Sequence, residues 1–348
     1  MTLPPSIAAS VAIGIASRVA SLGILGAFYT MIPTTSVVEG PFWSRPFAVW
    51  DGSWYVGIAS TGYHAEPVAT ASAGPLYDIA FFPLWPAVIW AGSLGGLLPT
   101  ALVGGIASNV LFVVACPLIH RALEPFLGSR SALWAVALLA FNPASYVFSL
   151  AYSESLFMVF AALAFASPRP IWLVLSAATR LTAGLIGLGT AVDAWLRGDR
   201  QAAAMWFVIP LATFGAWMAI AGMVAGRPDG YFLGSPAWYA SNGIASGPVT
   251  LAENAAGLVV AAYLALLLLG SLAMARRAPG LAVYAIGLVV AALLFGRWES
   301  MPRLAMCAFP AFAGLAVLLP RTRAVLVAAF IVLQAACVQL MVSGPFGP

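Results

Sequence analysis

The chain has 348 residues, 62% of them hydrophobic and only 7% charged. Apolar runs of roughly 15 to 27 residues follow one another from end to end, which excludes a soluble globular domain and describes a polytopic membrane protein. The net charge is +4 and every basic residue is Arg, a balance that suits an anionic membrane surface and gives no argument for nucleic acid.

A bilayer offers no water to backbone groups, so runs of this kind close their hydrogen bonds internally as helices; the alternating pattern of a membrane barrel is absent. Hydropathy predicts segments over 7–32, 79–98, 100–120, 131–150, 153–167, 171–193, 202–224, 255–274, 281–296, 304–319 and 324–342. The first follows a stretch without the positive charge of a secretory signal and is longer than a cleaved apolar core, so it is read as a membrane helix. Cys116, Cys307 and Cys337 lie in apolar surroundings without metal-ligand spacing, so neither a disulfide framework nor a zinc site is expected.

Arg121 and Arg130, Arg169, Arg197 and Arg200, Arg276 and Arg277, and Arg321 and Arg323 cluster at segment junctions, which marks the cytoplasmic side by the positive-inside rule. Most acids fall in the other junctions, and only Glu124, Asp193 and Asp199 share the Arg-rich side. Plain alternation of all eleven segments breaks this separation. Two segments are therefore expected to be broken or re-entrant: 79–98, interrupted by Pro83, Pro86 and a Gly-Gly pair, and 171–193, with Arg180 at its centre and Gly184, Gly187 and Gly189 after it. The expectation is one all-α membrane domain over 1–348, with about 9–11 membrane segments and two long extracytoplasmic loops, 33–78 and 225–254. No internal repeat divides it.

In WDGSWYVGIASTGYH, residues 50–64, Trp50, Trp54 and Ile58 recur at helical spacing, with Asp51 and Tyr55 together on the neighbouring side. That predicts a short helix in the membrane interface, where an aromatic belt accounts for the rings. Asp51 needs more, because a carboxylate near lipid is costly unless it is paired or faces water. DIAFFPLWP, 78–86, reads as helix-start chemistry. FNPASYVFSLAYSESLF, 141–157, breaks two helices with Asn-Pro and sets Tyr152 and Glu154 at the start of the next. In ATRLTAG, 178–184, Arg180 falls mid-membrane, where it costs about 2.5–3.5 kcal/mol on insertion scales and requires a partner. Arg18 raises the same question in the first segment, and pairing with an acid of the bundle is expected there. GRWESMPRLAMCAFP, 296–310, places Arg297, Glu299 and Arg303 at the outer end of a late helix, as a salt-bridge cluster or as a cationic socket for an anionic ligand.

These stretches, in this order and rough spacing, resemble the GPI mannosyltransferase II family of the PIG-V type, including its bacterial relatives, over about residues 48–310. The resemblance implies a membrane glycosyltransferase of the GT-C class, taking mannose from a polyprenyl-phosphate carrier at the extracytoplasmic face of what would be a bacterial plasma membrane. The family's acid in the first outer loop corresponds to Asp51. The chain is shorter than eukaryotic members and lacks their long luminal insertion, so the acceptor, a lipid-linked sugar or glycolipid, is left open.

On that basis Asp51 is expected to take the acceptor proton, and Arg303, Arg180 and Arg297 to hold the leaving phosphate. Trp50, Tyr55, Tyr63, His64, Tyr152 and Glu154 are expected around the sugar. Asp51, Asp78 and Glu154 are hard oxygen ligands of the kind a metal takes, but no Asp-x-Asp pair occurs; no metal or other cofactor is expected. The rival reading is a transporter or flippase for a lipid-linked sugar, since broken helices and buried Arg also build transport paths.

Overall fold

The computed structural model describes residues 4–28, 47–71, 74–232, 255–295 and 298–342. Helices dominate: α1 Pro5–Ala27, α2 Asp51–Thr61, α3 Leu84–Gly92, α4 Thr100–Leu127, α5 Ser129–Ala140, α6 Glu154–Ala166, α7 Pro170–Ala177, α8 Ala183–Leu196, α9 Arg200–Val224, α10 Ala255–Met274, α11 Pro279–Phe295, α12 Met301–Met306, α13 Phe309–Leu318 and α14 Arg323–Val342. One small antiparallel ladder, β1 Ala69–Ala71 with β2 Gly74–Leu76, interrupts them in the first polar connection. Pro5–Ala27, Thr100–Leu127, Arg200–Val224, Ala256–Met274 and Arg323–Met341 are long and apolar enough to cross a bilayer, and five shorter apolar helices accompany them. The chain is an integral membrane protein.

Both irregular segments take the form their sequence predicts. In the first, only nine residues form α3, and the chain then turns through 93–99 before α4 begins. In the second, the helix breaks at 178–182 into α7 and α8. Arg180 in that break reaches Glu154 in the first turn of α6, whereas the start of α7 and the end of α8 adjoin the last turn of α6 and the first turn of α9. The pair therefore enters and leaves at one end of the bundle. Gly187 and Gly189 are not loose hinges: a Cβ on Gly187 would stand 2.7 Å from the Trp206 carbonyl of α9, and one on Gly189 2.5 Å from the Gly280 carbonyl of α11.

Alternation of the helices brings the turns that carry Arg130, Arg169, Arg197, Arg276, Arg277 and Arg321 to that same end. There Asp193 in the last turn of α8 accepts a 2.8 Å hydrogen bond from the Gly280 amide, capping α11 at its positive pole.

Arg18 corrects an expectation. Its guanidinium donates to the Ser145 carbonyl at 2.8 Å, the Ser149 hydroxyl at 2.9 Å and the Ala140 carbonyl at 3.3 Å, and stacks on Phe112 with 4.4 Å to the ring centroid. These partners are carbonyls, hydroxyls and a ring, not an acid. The reason is the break after α5: its last carbonyls lack helical partners and carry the negative end of the helix dipole, which serves a cation in place of a carboxylate. Arg18 thus braces the 141–153 segment that leads to Glu154.

α10 and α13 meet where Gly270 faces Gly314, so closely that a Cβ on either would overlap the other helix's backbone. Gly314→Val should therefore destabilise the bundle by at least about 1–3 kcal/mol through overpacking, read as a lower thermal midpoint in detergent. Gly184→Ala is the control. A Cβ there meets nothing within 4 Å, so an equal loss in both variants would show that the Gly270–Gly314 crossing is not tight.

Candidate active site

The residues with chemical potential gather at the end of the bundle opposite the Arg-rich turns. Asp51 opens α2, and Trp50 before it has φ 52°, a left-handed conformation rarely taken by a bulky residue and one that persists only where surrounding contacts hold it. Gly52 lets the turn close, since a Cβ there would stand 2.8 Å from the Phe47 carbonyl and 3.1 Å from the Tyr152 ring. The result places Asp51 at the start of α2 facing the bundle and leaves Trp50 42% exposed at the rim.

The 141–153 segment delivers the partners. The amide of Ala151 donates to the Phe47 carbonyl at 2.8 Å, and the Trp85 indole donates to the Ala151 carbonyl at 2.9 Å. The amide of Leu84 donates to the Ala178 carbonyl at 3.0 Å. FFPLWP thus ties the segment before α6 to the α7–α8 break, and Ala151 ties that segment to the loop before α2. Tyr152, Ser153 and Glu154 follow and are fully buried.

Arg303, on α12, hydrogen-bonds the Asp51 carboxylate, lies 3.0 Å from Glu154 Oε1 through its Nε, and stacks over the Tyr152 ring at 4.9 Å. Arg180 Nη1 lies 2.6 Å from the same Glu154 oxygen and donates to the Ser153 hydroxyl at 3.1 Å. Ser153 and the Tyr55 hydroxyl are 3.0 Å apart. Asp51, Arg303, Glu154 and Arg180 therefore form one continuous chain of two cations and two anions.

Exposure orders that chain. The Glu154 side chain is 1% exposed, those of Arg303 and Arg180 11% and 13%, and that of Asp51 22%. The carboxylate at the accessible end is the one positioned to meet a second molecule. Glu154 Oε2, buried within the group, has no hydrogen-bond partner among the described residues. Such atoms are uncommon in a finished interior and concentrate where a ligand or water completes the bonding.

Tyr63 and His64 stand in a separate polar group. The Tyr63 hydroxyl donates to the Phe81 carbonyl at 2.9 Å, and His64 Nδ1 is 2.7 Å from the buried Asp78 carboxylate, which also takes the His64 amide. Phe81 links the groups, since its ring packs edge-on to Tyr55 at 5.0 Å and face-on to Trp54 at 5.6 Å. Arg297 lies outside the described residues, as does most of the expected second loop. Among the described residues no three His, Cys, Asp or Glu side chains come together as metal ligands.

A solved structure of the Archaeoglobus fulgidus oligosaccharyltransferase in complex with Zn and sulfate superposes on 97% of this chain and 53% of its own, with a TM-score of 0.50 and 14% identity. The fold is of GT-C type. In sequence, the GPI mannosyltransferase 2 of Drosophila pseudoobscura pseudoobscura is 32% identical over 120 residues, which cover 31% of this chain and 24% of that relative. The matched stretch is thus about a quarter of the relative's length, and the chain spans about half of the solved structure's. No protein-family model matches the chain.

The Asn-Pro pair marks the break that carries Tyr152, a central Arg followed by glycines marks the one that carries Arg180, and the cost of lone charges near lipid singles out Asp51 and Arg180. Ser153, which joins Tyr55 to Arg180, carried no signal, because a serine at a helix start is ordinarily a cap.

Proposed function

We propose that the chain works as a single membrane domain that transfers mannose, with inversion, from a polyprenyl-phosphate-mannose donor to a hydroxyl of a lipid-linked sugar or glycolipid, at the extracytoplasmic face of a bacterial plasma membrane. The observation that carries this reading is the ordered ion chain, with a part-exposed carboxylate at its rim and two guanidiniums held behind it. The GT-C fold and the mannosyltransferase relative support the reaction class.

In the proposed step the acceptor oxygen forms a bond to the anomeric carbon as the bond from that carbon to the phosphate oxygen breaks. Asp51 takes the hydroxyl proton. The departing polyprenyl phosphate gains a negative charge, which Arg303 and Arg180 meet in a water-poor setting with Arg297 as third cation. Glu154, with its Oε2 unbonded, accepts from sugar hydroxyls, Tyr152 and Tyr55 beside it accept and donate, and Trp50 offers its ring at the mouth. His64, with Nδ1 committed to Asp78, has Nε2 left for a sugar hydroxyl, and Tyr63 contributes its ring from the same neighbouring group.

The test is to mix purified protein with labelled polyprenyl-phosphate-mannose and a panel of lipid acceptors and to follow product and donor retention. Labelled product is expected. Retention of donor without product on every acceptor would favour a lipid-linked sugar carrier over an enzyme.

Sidedness has its own expected result. Glu66→Cys, in the exposed stretch after α2, should react with a membrane-impermeant maleimide on intact cells, and Glu124→Cys, near the end of α4, should react only after the membrane is opened. Equal labelling of both from outside would overturn the proposed orientation.

A further inference from the structure

We propose that the donor's phosphate binds in place of the Asp51 carboxylate on Arg303, so that filling the donor site is what releases Asp51 to act as a base. This inference rests on the transferase reading and deepens it by naming where the phosphate sits and what it displaces.

Three features of Arg303 lead there. Its guanidinium is shared between two carboxylates, with Asp51 on Nη2 and Glu154 on Nε. Only one of these partners is able to leave. Glu154 is fully buried and also holds Arg180, whereas Asp51 sits at the accessible end on the first turn of a short interfacial helix. A guanidinium that loses Asp51 still keeps Glu154 beside its Nε and the Tyr152 ring on its face. The Nη2 it releases is a charged donor that suits a phosphate oxygen as well as a carboxylate oxygen.

Charge balance gives the exchange a purpose. Asp51 and Glu154 already neutralise Arg303 and Arg180, so an added phosphodiester leaves this group with one negative charge in excess. The anion with the most exposure is the one that gives way. Freed from its guanidinium, Asp51 is a stronger proton acceptor, and it becomes so only when a donor is present. Transfer then moves one proton from the acceptor hydroxyl to Asp51 while the phosphate gains one negative charge, and the total charge of the group is unchanged.

If Asp51 competes with phosphate for Arg303, removing its charge strengthens phosphate binding. The probe is dodecyl phosphate, titrated onto the purified full-length protein. Asp51→Asn should bind it about tenfold more tightly than wild type, the size expected from losing one charge-assisted competitor, and Arg303→Gln should lose binding. Asp51→Ser, which is smaller and also uncharged, should reproduce the gain and guards against a folding defect peculiar to Asn. Inorganic phosphate binds more weakly for want of a tail but should show the same ratio.

Unchanged or weaker binding in both Asp51 variants would overturn the exchange, as would a gain confined to dodecyl phosphate, which would place the effect at the tail. The two readings fail separately. Sugar transfer without tighter binding leaves the enzyme and removes the exchange; tighter binding without product on any acceptor does the reverse.

Discussion

Asp51→Asn is expected to lower sugar transfer by about 10²-fold or more, the range a positioned general base contributes. The substitution keeps the shape of the side chain and one oxygen for Arg303 but removes the basicity that proton abstraction requires. Because the same change should favour phosphate on Arg303, the donor KM should fall together with kcat, a pattern that marks relief of a ground-state competition as well as loss of transition-state help. A variant unable to fold would lose binding too. Steady-state kinetics against labelled polyprenyl-phosphate-mannose separates the cases, and an Asn variant that makes product at the wild-type rate would reduce the opening of α2 to an aromatic anchor.

Glu154→Ala should have the largest effect on stability. Its carboxylate is fully buried and holds both Arg180 and Arg303, so truncation leaves two guanidiniums at depth with one anion, Asp51, at the outer end. Breaking a buried ion pair from one side costs about 3–5 kcal/mol, because the remaining charge stays desolvated. The thermal midpoint in detergent should drop by on the order of 5–10 °C. Glu154→Gln preserves volume and an acceptor oxygen and should fall between the two. If Glu154→Ala unfolds at the wild-type temperature, the ion chain is a surface feature and the site described above is not preorganised.

How far the site was legible varies by residue, for reasons that differ. Arg180 declared itself, since a lone cation inside an apolar run is rare and requires a partner, but nothing nearby in sequence named Glu154, 26 positions earlier. Arg18 declared itself in the same way and was expected to find an acid. It found the last carbonyl of α5 and the carbonyl and hydroxyls of the turn that follows it instead, groups whose availability no letter in the sequence marks. Asp51 and Tyr55 were placed on one side of a helix by spacing alone, and both enter the network. Tyr63 and His64 share that polar stretch, yet beyond the end of α2 helical spacing no longer governs, and the chain ties them to Phe81 and Asp78.

The amino-acid order by itself determined that this is a helical membrane protein, where its helices break, and that its junction arginines and most of its acids fall in different junctions. Those properties follow from transfer of each segment into hydrocarbon and from backbone groups that must bond within the segment, and both act over a few turns of chain. Only the tertiary structure decided that Arg303 serves Asp51, 252 positions away, and Glu154 at once. Pairing of that kind is set by which helices pack together, and it becomes specific only after packing has removed the water that would otherwise screen every charge equally.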